Sequence, residues 1–366
     1  MKKFSVFLSL LLTVSLLCGC AGTPVIYHED CTCPTNDSAA VQTPATEADP
    51  QPTEAPVTAT GALKTGLYIA TNVRDSKSAT ADAEGEAKYD VTIVAVLVDD
   101  NGIIQDCIID GIATSVKFDA TGAITTDLTT APLTKNELGE NYNMVKYGGA
   151  IAEWDAQAAA LAQFAIGKTV EELKSGAVDE TGYAPEGSDL ASSATIYLGG
   201  YVYAIEAAVN NAEPLGAQAG DELKLAVITG IGDSKAADAE NAGNAQLNVD
   251  ATAVTMNGDV ITSCVIDSVQ AKVAFDATGA ITSDITAAVA TKNELGENYG
   301  MVAWGGAIAE WNEQAASFAS YVTGKTAAEV SGIAIDEATH PTDADLASSV
   351  TIAIGGFQAL IAKACA

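Results

Sequence analysis

Two aliphatic, β-branched runs, residues 91–98 and 103–109, flank Asp100-Asn-Gly102. Apolar runs of strand length separated by Asn-Gly predict a β-hairpin. Asn257-Gly258 marks a second such turn, and Asp119-Ala-Thr-Gly122 predicts a further turn before Ile124. The pattern then changes. Residues 150–164 form an Ala-rich stretch that predicts a helix carrying Trp154. Thr169 and Glu172 stand at the spacing of a capping box and predict a short helix. Residues 190–209 predict the last long helix. Strands first and helices later argue for an α+β fold.

The pattern occurs twice. Lys135-Asn-Glu-Leu-Gly-Glu-Asn-Tyr142 returns as Lys292 to Tyr299, an offset of 157 positions, and Gly148-Gly-Ala-Ile-Ala-Glu-Trp154 returns as Gly305 to Trp311. Copies of about 150 residues are too long for solenoid units and are domain-sized. They run over 62–212 and 221–366, joined by a short linker around Asn211-Ala-Glu-Pro-Leu-Gly216. Similarity peaks from Thr134 to Trp154.

The N-terminal residues read differently. Residues 1–19 have the form of a signal peptide: Lys2 and Lys3 precede an apolar run too short to cross a bilayer comfortably. Leu17-Cys18-Gly19-Cys20 resembles a lipobox, with Cys20 the lipidated residue, although Cys at its second position is uncommon. Acyl chains on Cys20 would anchor the protein to a membrane surface. Residues 20–61 read as a disordered tether, since six of the ten prolines fall there amid Thr, Ala, Asp and Glu. Its full reach is roughly 130 Å.

The formal net charge of −31 and the lack of a basic stripe argue against nucleic acid as a partner. Cys107 and Cys264 fall at equivalent places in strand-like runs and are expected to pack as small hydrophobes. Cys31 and Cys33, with His28 near, lie in the tether, where a metal clip has little to support it.

The candidate chemistry lies in a repeated heptad. Asp189-Leu-Ala-Ser-Ser-Ala-Thr195 and Asp345-Leu-Ala-Ser-Ser-Val-Thr351 stand near the ends of the copies. Asp is a favoured N-cap, and Ser192, Ser193 and Thr195, like Ser348, Ser349 and Thr351, would then line a helix start able to hold a phosphate. The plainer alternative is a helix cap followed by small packing residues.

The heptad resembles the acceptor motif of FMN-binding domains in the sodium-pumping NADH:quinone reductase and in Rnf complexes, where the flavin phosphate is esterified to the final Thr. Its tandem occurrence behind a lipobox and a Thr/Pro tether looks like the flavinylated extracellular electron-transfer lipoproteins of Gram-positive bacteria. The resemblance spans both copies. It implies two covalent FMN groups, on Thr195 and Thr351, attached by a separate FMN transferase that uses FAD. Ser193 and Ser349 stand where Gly is commonest, and Val350 replaces the usual Ala. A Thr hydroxyl needs activation to act as a nucleophile, and no His recurs in both copies, which fits an external transferase.

Candidates to hold the flavin ring are Tyr142 and Tyr299, Met144 and Met301, and Tyr147 and Trp304, with Gly148-Gly149 permitting close approach; core packing is an equal reading for the tyrosines. Trp154 and Trp311 read as core. The resemblance further implies a carrier at the outer face of the cell membrane. Electrons would arrive from a quinone-linked NADH dehydrogenase and leave to free flavin or ferric iron. A non-redox binding lipoprotein and a structural surface protein are the rival expectations.

Overall fold

The structure is a computed structural model that describes residues 61–366. The expected signal peptide, Cys20, Cys31, Cys33 and the tether lie outside the described residues.

Each copy is a three-stranded antiparallel sheet followed by short helices. Copy one has β1 (Lys64–Asn72), β2 (Gly85–Val98) and β3 (Ile104–Phe118) in that spatial order. Its helices are α1 (Lys135–Leu138), α2 (Met144–Gly148), α3 (Trp154–Ala165), α4 (Val170–Ala177) and α5 (Gly199–Asn210). Copy two has β4 (Glu222–Gly230), β5 (Gly243–Asn257) and β6 (Val260–Phe275), then α6 (Lys292–Leu295), α7 (Met301–Gly305), α8 (Trp311–Val322), α9 (Ala327–Ser331), α10 (Ala344–Ala347) and α11 (Gly355–Ala364). The α+β class expected from the pattern is what the chain adopts.

The local signals work as chemistry requires. At the β2–β3 turn the Asp99 carboxylate accepts from the N–H groups of Asn101 and Ile103, and Gly102 takes φ +78°, which costs a residue without Cβ little. Thr169 caps α4, and Glu172 completes the capping box. The strands run further than the apolar runs alone indicate, to Phe118 in β3 and to Phe275 in β6.

One sheet face of each copy meets its counterpart. Leu67, Ile93, Ile112 and Phe118 share a single buried core with Val227, Val249, Val269 and Phe275. The opposite face of each sheet is covered by its own helices: Val94, Cys107 and Ile109 pack on Trp154, Leu161 and Ile205, and Val254, Cys264 and Ile266 on Trp311, Phe318 and Leu360. The cross-copy contacts include a reciprocal pair. Ala79 N–H donates to Gly279 O, and its counterpart Ala237 N–H donates to Gly122 O, both at 2.8 Å. Reciprocity of this kind marks a two-fold relation.

The last helix corrects a sequence expectation. It begins at Gly199, not at 190; residues 190–192 form only one 3₁₀ turn. From Thr195 onward the N–H groups turn to non-helical acceptors. Thr195 and Ile196 donate to the Gln157 side chain, and Leu198 and Gly199 donate to Gly182 O. The heptad is therefore not the first turn of a long helix.

Candidate functional site

The site is built around α3 and the irregular segment that follows the heptad. Gln157 lies one turn beyond Trp154, fully buried. Its Oε1 accepts from Thr195 N–H at 2.8 Å, Thr195 Oγ1 at 3.3 Å and Ile196 N–H at 3.2 Å. Its Nε2 donates to Ala152 O at 2.8 Å. A buried amide is stable only when both ends are bonded, so Gln157 fixes Thr195 to the base of α3. Thr195 itself remains exposed.

Copy two repeats the arrangement. Gln314 Oε1 accepts from Thr351 N–H at 2.8 Å, Thr351 Oγ1 at 3.2 Å and Ile352 N–H at 3.2 Å, and its Nε2 donates to Ala309 O at 2.8 Å. Thr351 is exposed, while Val350, like its counterpart Ala194, points into the core. The extra methyl groups of Val350 are thus on the side away from solvent.

The network continues to the most closely repeated stretch. Glu153, next to Ala152, accepts from the N–H groups of Met144 at 2.8 Å and Val145 at 3.1 Å. Glu310 does the same for Met301 and Val302. These bonds position α2 and α7, which carry exposed apolar residues: Val145 and Tyr147 in one copy, Val302 and Trp304 in the other. Tyr147 is 77% exposed and Trp304 is 91% exposed. Gly149 and Gly306 end these helices at φ +64° and +63°.

Asp189 and Asp345 are exposed; Asp189 stands at the N-cap of the 3₁₀ turn without a side-chain capping bond, and Asp345 lies inside α10. The cap in copy two is Asp343, whose carboxylate accepts from Asp345 and Leu346 N–H. The Ser192 and Ser348 hydroxyls donate to the carbonyls of Asp189 and Asp345 at 2.6 and 2.7 Å, tightening the turn. Ser193 and Ser349 are exposed beside them. Met144 and Met301 are half-buried against the outer cores.

Tyr142 and Tyr299 are also half-buried, each over a lysine. Lys135 Nζ lies 5.4 Å from the Tyr142 ring and 4.8 Å from the Trp154 ring; Lys292 repeats this at 5.3 and 4.6 Å from Tyr299 and Trp311. Burial holds both ammonium groups below the usual lysine range, with Asp90 and Asp110, or Asp250 and Asp267, opposing the shift. Trp154 and Trp311 are core residues, as read. Cys107 and Cys264 are buried, and burial pushes the Cys264 thiol up to about 12.

The two sites differ at their rims. Tyr197, two residues past Thr195, stands edge-on to Tyr183 with ring centroids 5.6 Å apart. Ala353 and His340 occupy the equivalent positions in copy two.

No protein-family model, curated protein or solved structure matches the chain.

Gln157, Gln314, Glu153 and Glu310 are the site residues that motif reading misses. A signal exists: in both copies a Gln stands three residues past the Trp, polar on an Ala-rich face that must be buried. The donor set fits a phosphoester on Thr, because each Thr is presented to solvent and held by its own N–H. The heptads carry no Lys or Arg, so the ester bond, not ion pairing, would have to retain a phosphate there.

Proposed function

We propose that this chain is a membrane-tethered electron carrier holding two covalent FMN groups, one on Thr195 and one on Thr351. The observation that carries the reading is the pair of exposed threonines, each bonded through N–H and hydroxyl to a fully buried glutamine. A packing motif has no need to present the same hydroxyl to solvent, on the same buried amide, in two copies that diverge elsewhere.

FMN supplies the redox chemistry; the chain supplies attachment, orientation and surroundings. Gln157 and Gln314 would hold the acceptor oxygen in one place for an external transferase. Tyr147, Tyr197 and Trp304 offer exposed aromatic faces of the kind a flavin ring packs against. Lipidation at Cys20, a quinone-linked NADH dehydrogenase as donor, and free flavin or ferric iron as acceptor complete the proposal.

The test is intact-mass and peptide spectrometry of protein co-expressed with an FMN transferase, beside Thr195→Ala and Thr351→Ala. Two FMN additions, each lost with one Thr, support the carrier. No addition with a transferase shown to work on another substrate removes it.

A further inference from the structure

The two seams between the copies are not alike. In copy two, Lys363 on α11 pairs with the Glu137 carboxylate on α1 of copy one and donates to Val227 O in β4. A lysine thus closes the seam where α11 of one copy meets α1 of the other. The two-fold relation generates a second seam, where α5 meets α6. There Glu294 is the counterpart of Glu137, and Ala207 is the counterpart of Lys363. The carboxylate is kept and the ammonium is not.

This second seam is an open cleft of about 840 Å³ between β1, β6, α8 and the segment after α5. Its wall includes the carboxylates of Glu294, Asp267 and Glu213, and no Lys, Arg or His. Tyr68 lines it, with Tyr203 edge-on at 6.3 Å between centroids; the counterparts Ala226 and Ala359 bring no aromatic to the lysine-closed seam. Burial, then neighbouring Tyr203 and Glu294, pushes the Tyr68 phenol up to about 12. Asn312 also lines the cleft, but its Oδ1 lies beneath the surface, closed to solvent. An aromatic face beside carboxylates is a pairing that recognises an ammonium.

We infer that this cleft binds a small organic ammonium compound, its cationic group at Glu294 where the other seam has Lys363. Tyr68 would lie against the cation. The cleft is large enough for an apolar body behind the charge. This site is separate from the two threonines and stands or falls without them.

The experiment is isothermal titration of phenethylammonium into protein made without transferase, with phenethyl alcohol as neutral control. Salt is held at about 0.15 M so that the acidic surface contributes little. Saturable 1:1 binding of the amine, at least tenfold tighter than the alcohol, is expected. Glu294→Gln should weaken it at least tenfold, and Ala207→Lys, which copies the closed seam, should abolish it. Glu137→Gln, which alters only the other seam, should leave it unchanged. Thermal melting of each variant separates lost binding from lost folding. Equal affinity for amine and alcohol, or binding that survives both Glu294→Gln and Ala207→Lys, overturns the inference. So does a concentration-dependent dimer that the amine dissociates, which would assign the cleft to a lysine of a second copy.

Discussion

The Phe118 and Phe275 rings lie parallel, 4.0 Å between centroids and 2° apart in plane, at equivalent positions of the two copies. Both are fully buried. They close the ends of β3 and β6 and sit where the two-fold relation brings like against like. The stack therefore belongs to both copies at once.

Phe118→Ala should cost about 3–5 kcal/mol, the usual range for emptying such a site. The loss should appear as one cooperative transition at lower denaturant for the whole chain. Urea unfolding followed by both near-ultraviolet signal and backbone circular dichroism is the measurement. A variant in which one copy melts early while the other keeps its midpoint would contradict a shared core.

Gln157→Ala removes the acceptor for Thr195 N–H, Thr195 Oγ1 and Ile196 N–H together. If Thr195 is an FMN acceptor, attachment there should fall at least tenfold while attachment at Thr351 persists. Gln314→Ala should reverse the pattern. Peptide mass spectrometry after co-expression reads both sites in one sample. Unchanged occupancy at Thr195 would show that Gln157 serves packing alone.

Val350→Ala restores the commoner residue before the second threonine. Val350 is fully buried, and the Gln314 bonds to Thr351 match those of copy one within 0.1 Å. FMN occupancy at Thr351 should therefore not rise with the substitution. Stability should fall by about 1–3 kcal/mol through lost burial, seen as a lower melting temperature. A gain in occupancy would mean that the valine interferes with the acceptor.

Asp267 supplies a pH dependence. Burial pushes its carboxyl up to about 6 from an ordinary 3.8, against hydrogen bonds from Thr291, Asn293 and Ser268 that lower it. The folded chain then holds this proton more tightly than the unfolded chain does. Its contribution to stability is full below about pH 3.8 and is lost as pH rises through about 6, a change on the order of 3 kcal/mol. Asp267→Asn should flatten that part of the stability curve relative to the parent chain. Urea midpoints between pH 4 and 7 decide it, and parallel curves for the two proteins would refute it.

Local signals in the sequence carried the local structure. The Asn-Gly turn and the Thr169–Glu172 box are legible because each is complete within a few residues. The break before Gly199 was not legible. It depends on Gln157, 38 residues away, and on Gly182, whose carbonyl takes the next N–H groups. The duplication was plain from the repeated phrases, yet the common core was not. An apolar strand face looks the same whether a helix or a second sheet covers it. At the candidate site, the heptad and the exposed Tyr147 and Trp304 could be named in advance. The glutamines match no motif and are marked only by their recurrence, three residues past the Trp of each copy.

The reciprocal bonds of Ala79 with Gly279 and of Ala237 with Gly122 bear on the history of the chain. One copy alone would leave the apolar face of Leu67, Ile93, Ile112 and Phe118 bare to water. A gene encoding a single unit would have made a protein obliged to find its twin, and the two-fold relation is the one such a homodimer adopts. The linker converts that encounter into an intramolecular one, so assembly no longer depends on concentration. Once fused, the halves were free to differ, so that a lysine stands at one seam and an alanine at the other.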